Sequence, residues 1–215
     1  MPYFRNSKYN ILYVHVPKTG GSSIEQYFSK LTKTPLDKNC LFGPHKRIPE
    51  YPHGGAPLQH LYLDGILRYS KLFKIKTDNL KIIISVRNPY TRMVSELFYR
   101  KLINPNTSPK RVFNILKEFI SRKRGVQHHN MPQWKFYLVD GFIPMKNVHV
   151  IKNETLDEDM AKLGFKNFKH MKKHNTTHRK KIDYFKFLNK DSIKLINRAY
   201  KKDFELFGYR IINPE

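Results

Sequence analysis

The feature that most limits what this chain can fold into is an apolar run, residues 11–16 (Ile-Leu-Tyr-Val-His-Val), that leads straight into Pro17-Lys18-Thr19-Gly20-Gly21-Ser22-Ser23. The run is rich in β-formers and reads as a buried strand, ended by the proline and the two glycines. Ser22 is suited to cap a helix over residues 23–31, with Glu25 in its first turn. A strand, a glycine turn and a helix in that order curl successive backbone N–H groups inward around an anion. The helix N-terminus adds roughly half a positive charge. Lys18 supplies an ammonium, and Ser22 and Ser23 supply hydroxyl donors. Lys18, Thr19, Gly20, Gly21, Ser22 and Ser23 are therefore the primary candidates for holding an oxyanion. The lysine stands before the glycines, whereas the nucleoside-triphosphate loop ends in Gly-Lys-Ser/Thr. A kinase or triphosphatase reading is correspondingly weak.

A second constellation follows the next strand, residues 81–86 (Lys-Ile-Ile-Ile-Ser-Val). Arg87 stands where a magnesium-binding carboxylate would be in a triphosphatase. Pro89 suits the first turn of a helix over residues 90–101. Arg87 at a strand end and Ser95 on the following helix offer a guanidinium fork and a hydroxyl, the donors that a terminal phosphate takes. A third strand is expected at 148–151, with helices at 58–73, 111–122, 155–163 and 191–207. Residues 34–57 form a long Pro/Gly loop and residues 169–181 a basic one. The alternation points to an α/β fold with a mostly parallel central sheet flanked by helices, one domain over 1–215. Ligands in such sheets lie beyond the carboxyl ends of the strands, so both loops face one crevice.

His15–Ser23 (HVPKTGGSS) together with Ser85–Ser95 (SVRNPYTRMVS) resembles the paired nucleotide-binding signature of sulfotransferases that use 3′-phosphoadenosine 5′-phosphosulfate (PAPS), close to their carbohydrate (Golgi-type and bacterial) branch. Pro132-Gln133, the Val150–Glu154 stretch and the segment from Tyr200 to Tyr209 agree in order. The resemblance implies a single α/β domain, PAPS as donor with adenosine 3′,5′-bisphosphate as product, and no metal. It implies that residues 18–23 bind the 5′-phosphosulfate, with Lys18 catalytic at the bridging oxygen, and that Arg87 and Ser95 bind the 3′-phosphate. It also maps Asn175 and Thr176 onto a loop that closes over the nucleotide. Lys152 stands where the family usually has an arginine.

Sulfuryl transfer needs a group to take the acceptor proton, and the chain has 10 histidines. His60 is the first choice, because it lies between the two nucleotide motifs. His53 is the runner-up, His15 can instead orient the loop, and Glu50 and Asp64 stay open as carboxylate bases. Trp134, the only tryptophan, could stack on a sugar or on adenine.

Lys and Arg number 41 against 17 Asp and Glu, a net charge of +24. Such a surface attracts polyanions, and the expected partner is a hydroxyl acceptor in the form of an acidic glycan. A non-catalytic polyanion or nucleic-acid binder is the rival reading. It lacks any zinc-finger, basic-zipper or RNA-motif pattern and leaves two separate phosphate sites unexplained. The single cysteine, Cys40, offers no disulfide framework. No apolar run reaches the ~20 residues of a membrane span, and residues 1–10 lack the apolar middle of a signal peptide, so a soluble intracellular protein is expected. No His/Cys/Asp cluster has metal-ligand spacing, and the adjacent His128 and His129 would point apart.

Overall fold

The computed structural model describes residues 1–43, 57–122, 127–141, 147–171 and 182–214. Its centre is a four-stranded sheet in the order β1 (Tyr3–Arg5), β2 (Asn10–Val14), β3 (Lys81–Val86), β4 (Val148–Lys152). β2, β3 and β4 run parallel, with Ile11 opposite Lys81 and Ile84 opposite Val150, while β1 joins β2 antiparallel. The expected mostly parallel α/β architecture is present. β1 was not anticipated: three residues carry no periodicity. It forms because Phe4 is buried and because the Tyr3 hydroxyl donates to Asn10 Oδ1 at 2.8 Å and accepts from the Lys76 N–H at 3.1 Å.

Side chains alternate cleanly across the two inner strands, which are buried on both faces as inner parallel strands are. Leu12, Val14, Ile82, Ile84 and Val86 pack with Leu58, Leu61, Leu63, Ile66 and Phe136 on one face. Ile11, Tyr13 and Ile83 pack on the other with Ile24 and Phe28 of α1 (Gly21–Thr32), Leu156 and Met160 of α5 (Leu156–Lys162), and Phe168 of α6 (Phe168–Met171). A separate apolar cluster unites α3 (Pro89–Tyr99), α4 (Pro109–Ser121), α7 (Lys190–Ala199) and α8 (Lys201–Phe207).

Three helices differ from expectation. Residues 58–73 hold a single 3-10 turn, Leu58–His60, then extended Leu61 and Tyr62, then α2 (Leu63–Arg68). Leu61 and Leu63 are both buried, a spacing of two that a helix cannot deliver to one side. The closing helix breaks at Tyr200 (φ −120°), whose buried hydroxyl donates to the Asn130 carbonyl at 2.8 Å. α1 begins two residues early: Gly20, in the left-handed region at φ 91°, takes the capping position foreseen for Ser22. Among the described residues no helix is long and apolar enough to cross a membrane.

Candidate active site

A cavity of about 480 Å³ opens beyond the carboxyl ends of β2, β3 and β4. The loop after β2 supplies Lys18, Gly20, Gly21, Ser22 and Ser23 to its wall. The end of β3 supplies Arg87, α3 supplies Ser95 and Tyr99, the end of β4 supplies Asn153, and the turn before α2 supplies His60. Two stretches some 65 residues apart in the chain thus meet, because parallel neighbours end on the same side.

The loop after β2 is held from several directions. Thr19 is fully buried, and its hydroxyl donates to the Val16 carbonyl at 2.7 Å and lies 2.5 Å from Ser85 Oγ, which in turn meets the Tyr13 hydroxyl at 2.5 Å. With the Thr19 hydrogen given to Val16, hydrogens must run from Tyr13 to Ser85 to Thr19, so every hydroxyl in this buried row is satisfied. The Thr19 side chain is therefore a tie to the sheet and turns away from the cavity. Arg92, fully buried on α3, donates Nε to the Pro17 carbonyl (3.1 Å), Nη1 to Met131 (3.0 Å) and Nη2 to His129 (3.0 Å). It joins the loop to the segment that follows α4. Asn153 Nδ2 donates to the Thr19 carbonyl at 3.2 Å, and a Cβ on Gly20 would come within 2.7 Å of that nitrogen. A Cβ on Gly21 would lie 2.2 Å from His15 Nε2. Lys18 itself has φ 68°, in the left-handed region, as do nine other non-glycine residues among those described. Its Nζ lies 4.3 Å from the centre of the Tyr99 ring.

Arg87 lies across this loop. Nε donates to Thr91 Oγ1 at 3.0 Å, Nη1 donates to the Lys18 carbonyl at 3.3 Å, and the guanidinium sits 5.0 Å from the Tyr184 ring centre. These partners are neutral, so they leave its positive charge uncancelled. Its backbone is gripped twice by Gln133, whose Oε1 accepts from the Arg87 N–H (2.9 Å) and whose Nε2 donates to the Arg87 carbonyl (2.8 Å). Gln133 is fixed in turn by the buried Asp203 of α8, which accepts from the Gln133 and Trp134 N–H groups at 2.9 and 3.0 Å. Burial raises the Asp203 carboxyl, and Arg92 and these N–H groups oppose the shift. Glu154, after β4, accepts from the Asn88 N–H and from the Tyr209 hydroxyl, each at 2.9 Å. The later sequence motifs thus brace the strand-end loops.

Three imidazoles stand along one side of the cavity. His15 Nδ1 is 2.6 Å from Glu25 Oε1, and His129 Nδ1 is 2.8 Å from Glu96 Oε2. His60 lies between them, its ring centre 5.0 Å from that of His15 and 4.8 Å from that of His129, edge to face with both. Its Nδ1 is buried, with no hydrogen-bond partner among the described residues. Burial first, and the neighbouring imidazoles second, hold His60 far below the usual histidine range. Burial also lowers His129, against the pull of the Glu96 carboxylate. His128 takes a different course: its ring stacks on Tyr62 at 4.6 Å and its Nδ1 lies 3.2 Å from the His60 carbonyl. Among the described residues no group of three or more His, Cys, Asp or Glu side chains is arranged to hold a metal ion.

The remaining sequence candidates lie elsewhere. Asp64 is not on the cavity wall. It pairs with Arg68 at 3.3 Å, accepts from the Asp140 N–H at 3.1 Å, and borders a separate depression with Tyr62 and Tyr69. Trp134 is also off the wall, with Lys202 Nζ 4.0 Å from its ring centre. His53, Glu50, Asn175 and Thr176 fall outside the described residues. Sequence reasoning missed Glu25, Arg92, Glu96, Tyr99, His129 and Asn153. Glu25 was visible only as a first-turn acid, and His129 only as a failed metal ligand, since neither partner is near in sequence.

Comparison with known proteins adds one finding. The sequence model of the sulfotransferase family matches residues 1–210, nearly the whole chain. No curated protein and no solved structure matches it.

Proposed function

The chain belongs to the sulfotransferase family, and from that premise we propose that it transfers the sulfuryl group of PAPS to a hydroxyl of a carbohydrate. The observation that carries this reading is the convergence of Lys18, the glycine loop, Arg87 and Ser95 on one cavity. The donor set suits such a nucleotide: a lysine, an arginine with neutral partners, hydroxyls, and a glycine turn into which no Cβ fits at Gly20 or Gly21. In this reading the phosphosulfate lies in the P-loop-like turn of residues 18–23 and the 3′-phosphate between Arg87 and Ser95. In the same reading Asn175 and Thr176 contribute to nucleotide binding. One domain carries the whole site.

The chemistry follows the logic of phosphoryl transfer, with in-line attack and charge growing on the leaving oxygen. Lys18 neutralises that charge at the bridging oxygen, where a positioned cation is worth most. A neutral imidazole on the wall takes the acceptor proton. His60, the first choice from sequence, is neutral there, but among the described residues its Nδ1 has no hydrogen-bond partner to orient it. The net charge of +24 favours an acidic glycan as acceptor.

The test is nucleotide-dependent melting. Adenosine 3′,5′-bisphosphate should raise Tm in proportion to its affinity for the folded state. Adenosine 5′-monophosphate, which offers Arg87 and Ser95 no phosphate, should raise it much less. Equal shifts, or equal shifts from ATP, would remove the 3′-phosphate site and favour the polyanion-binding reading.

A further inference from the structure

Three imidazoles line the cavity but only two carboxylates hold them, and the difference separates their roles. A general base needs one nitrogen committed to an orienting acceptor, so that the other presents a lone pair. Among the described residues His60 Nδ1 has no such acceptor and is buried without a hydrogen-bond partner. His15 has Glu25, but its Nε2 lies against the loop where a Gly21 Cβ would come within 2.2 Å, so its ring is a strut beneath the glycine turn. His129 has what the other two lack. Nδ1–H donates to Glu96 Oε2, and Glu96 Oε1 accepts from Arg100 Nε at 2.5 Å. The ring lies parallel to Tyr99 within 14°, and the backbone carbonyl is fixed by the buried Arg92. His129, Tyr99 and Ser95 are all on the cavity wall. Ser95 and Tyr99, one turn apart on α3, share the face that lines the cavity, while Glu96, next to Ser95 but turned about 100° from it, is buried against His129.

We infer that His129, oriented by Glu96, is the group that receives the acceptor's hydroxyl proton on Nε2, an inference that rests on the sulfuryl-transfer reading above. As a lone pair of the acceptor oxygen forms the new O–S bond, its proton passes to Nε2. The bond from sulfur to the bridging oxygen breaks, and its electron pair leaves on the 5′-phosphate of adenosine 3′,5′-bisphosphate, next to Lys18. The imidazolium, facing the Glu96 carboxylate, then gives its proton to water. His60 acts as a neutral spacer that keeps the His15 and His129 rings apart.

The charged and titratable groups around His129 are Glu96, Arg92 and Tyr99 from α3, Arg100 at its C-terminal cap and His60 from the turn before α2, with Lys18 beyond the Tyr99 ring. Burial, Arg100 and Arg92 favour the neutral ring and Glu96 opposes them, with a net lowering. Burial would raise Glu96, but the hydrogen bonds from His129 and Arg100 outweigh it and keep it ionised. The rate should therefore fall on an acid limb below the ordinary imidazole value of ~6.5.

Two measurements on the full chain decide the matter. Long-range ¹H–¹⁵N spectra of the imidazoles should show His129 carrying its hydrogen on Nδ1 at neutral pH, with that preference lost in Glu96→Gln. Radiolabelled PAPS turnover, with unsulfated chondroitin and neutral oligosaccharides as acceptors, should fall by ~100-fold or more in His129→Ala, the usual scale for a lost base. The melting shift from adenosine 3′,5′-bisphosphate should survive, which shows that the variant folds and binds. Glu96→Gln should lose less and move the acid limb to lower pH, while His60→Ala should keep the limb. A hydrogen on Nε2 of His129, a His129→Ala rate above a tenth of the parent's, or an acid limb that disappears in His60→Ala instead would each overturn the assignment. If the parent turns over no acceptor yet binds the nucleotide, the transfer reading fails, and the spectra still decide whether the Glu96–His129 pair is formed.

Discussion

Replacing Gly21 by alanine tests how tightly the glycine loop after β2 is built. The new Cβ would lie 2.2, 2.4 and 2.6 Å from three atoms of the His15 ring. That ring cannot step aside cheaply, since its Nδ1 is tied to buried Glu25 at 2.6 Å and its faces meet Tyr13 and His60. Forcing a methyl into such a site costs ~1–3 kcal/mol. Alanine would recover up to ~1 kcal/mol of helix propensity, less at the first helical residue, where Gly21 stands. The clash should win by ~1–2 kcal/mol, which for a chain of this size lowers Tm by about 2–8 °C. Thermal melting of Gly21→Ala measures it. On a His15→Ala background the obstacle is gone, and the same substitution should be neutral or stabilising, a coupling of at least ~1 kcal/mol. Equal effects on both backgrounds, or no effect on the parent, would refute the steric argument.

Three further outcomes are expected. Lys18→Ala should lower kcat by more than ~100-fold, the scale of one lost preorganised donor, while weakening nucleotide binding far less; steady-state kinetics beside a binding titration separates the two. Arg92→Leu strips a donor from the carbonyls of Pro17, His129 and Met131 and removes the cation near buried Asp203 and Glu96, so it should cost ~3–5 kcal/mol in urea unfolding; a loss below ~1 kcal/mol would contradict its bracing role. His60, His128 and His129 all have folded-state values below the usual one, so the unfolded chain binds more protons below pH ~6.5. Their contribution is complete above that pH and is lost as pH falls, and His60→Leu should flatten the decline between pH 6.5 and 5 by up to ~1.4 kcal/mol per unit.

The β-forming residues of β2 and β3 and the proline and glycines that end β2 were enough to read the parallel sheet and the glycine turn into α1 from the sequence alone. That Lys18, Arg87 and Ser95 would border one cavity was legible for the same reason, since each stands just past a strand end or on the helix that follows it. The helix over residues 58–73 was not, because the burial of both Leu61 and Leu63 is decided by the core they enter. The site's inner structure depended wholly on the tertiary fold. Glu96 and His129 are 33 residues apart, and Asp203 reaches Arg87 only through Gln133. No sequence period connects such positions. Their pairing follows from buried polar groups having to find partners wherever the packed chain brings them, and it is this demand that ties His15 to Glu25 and His129 to Glu96.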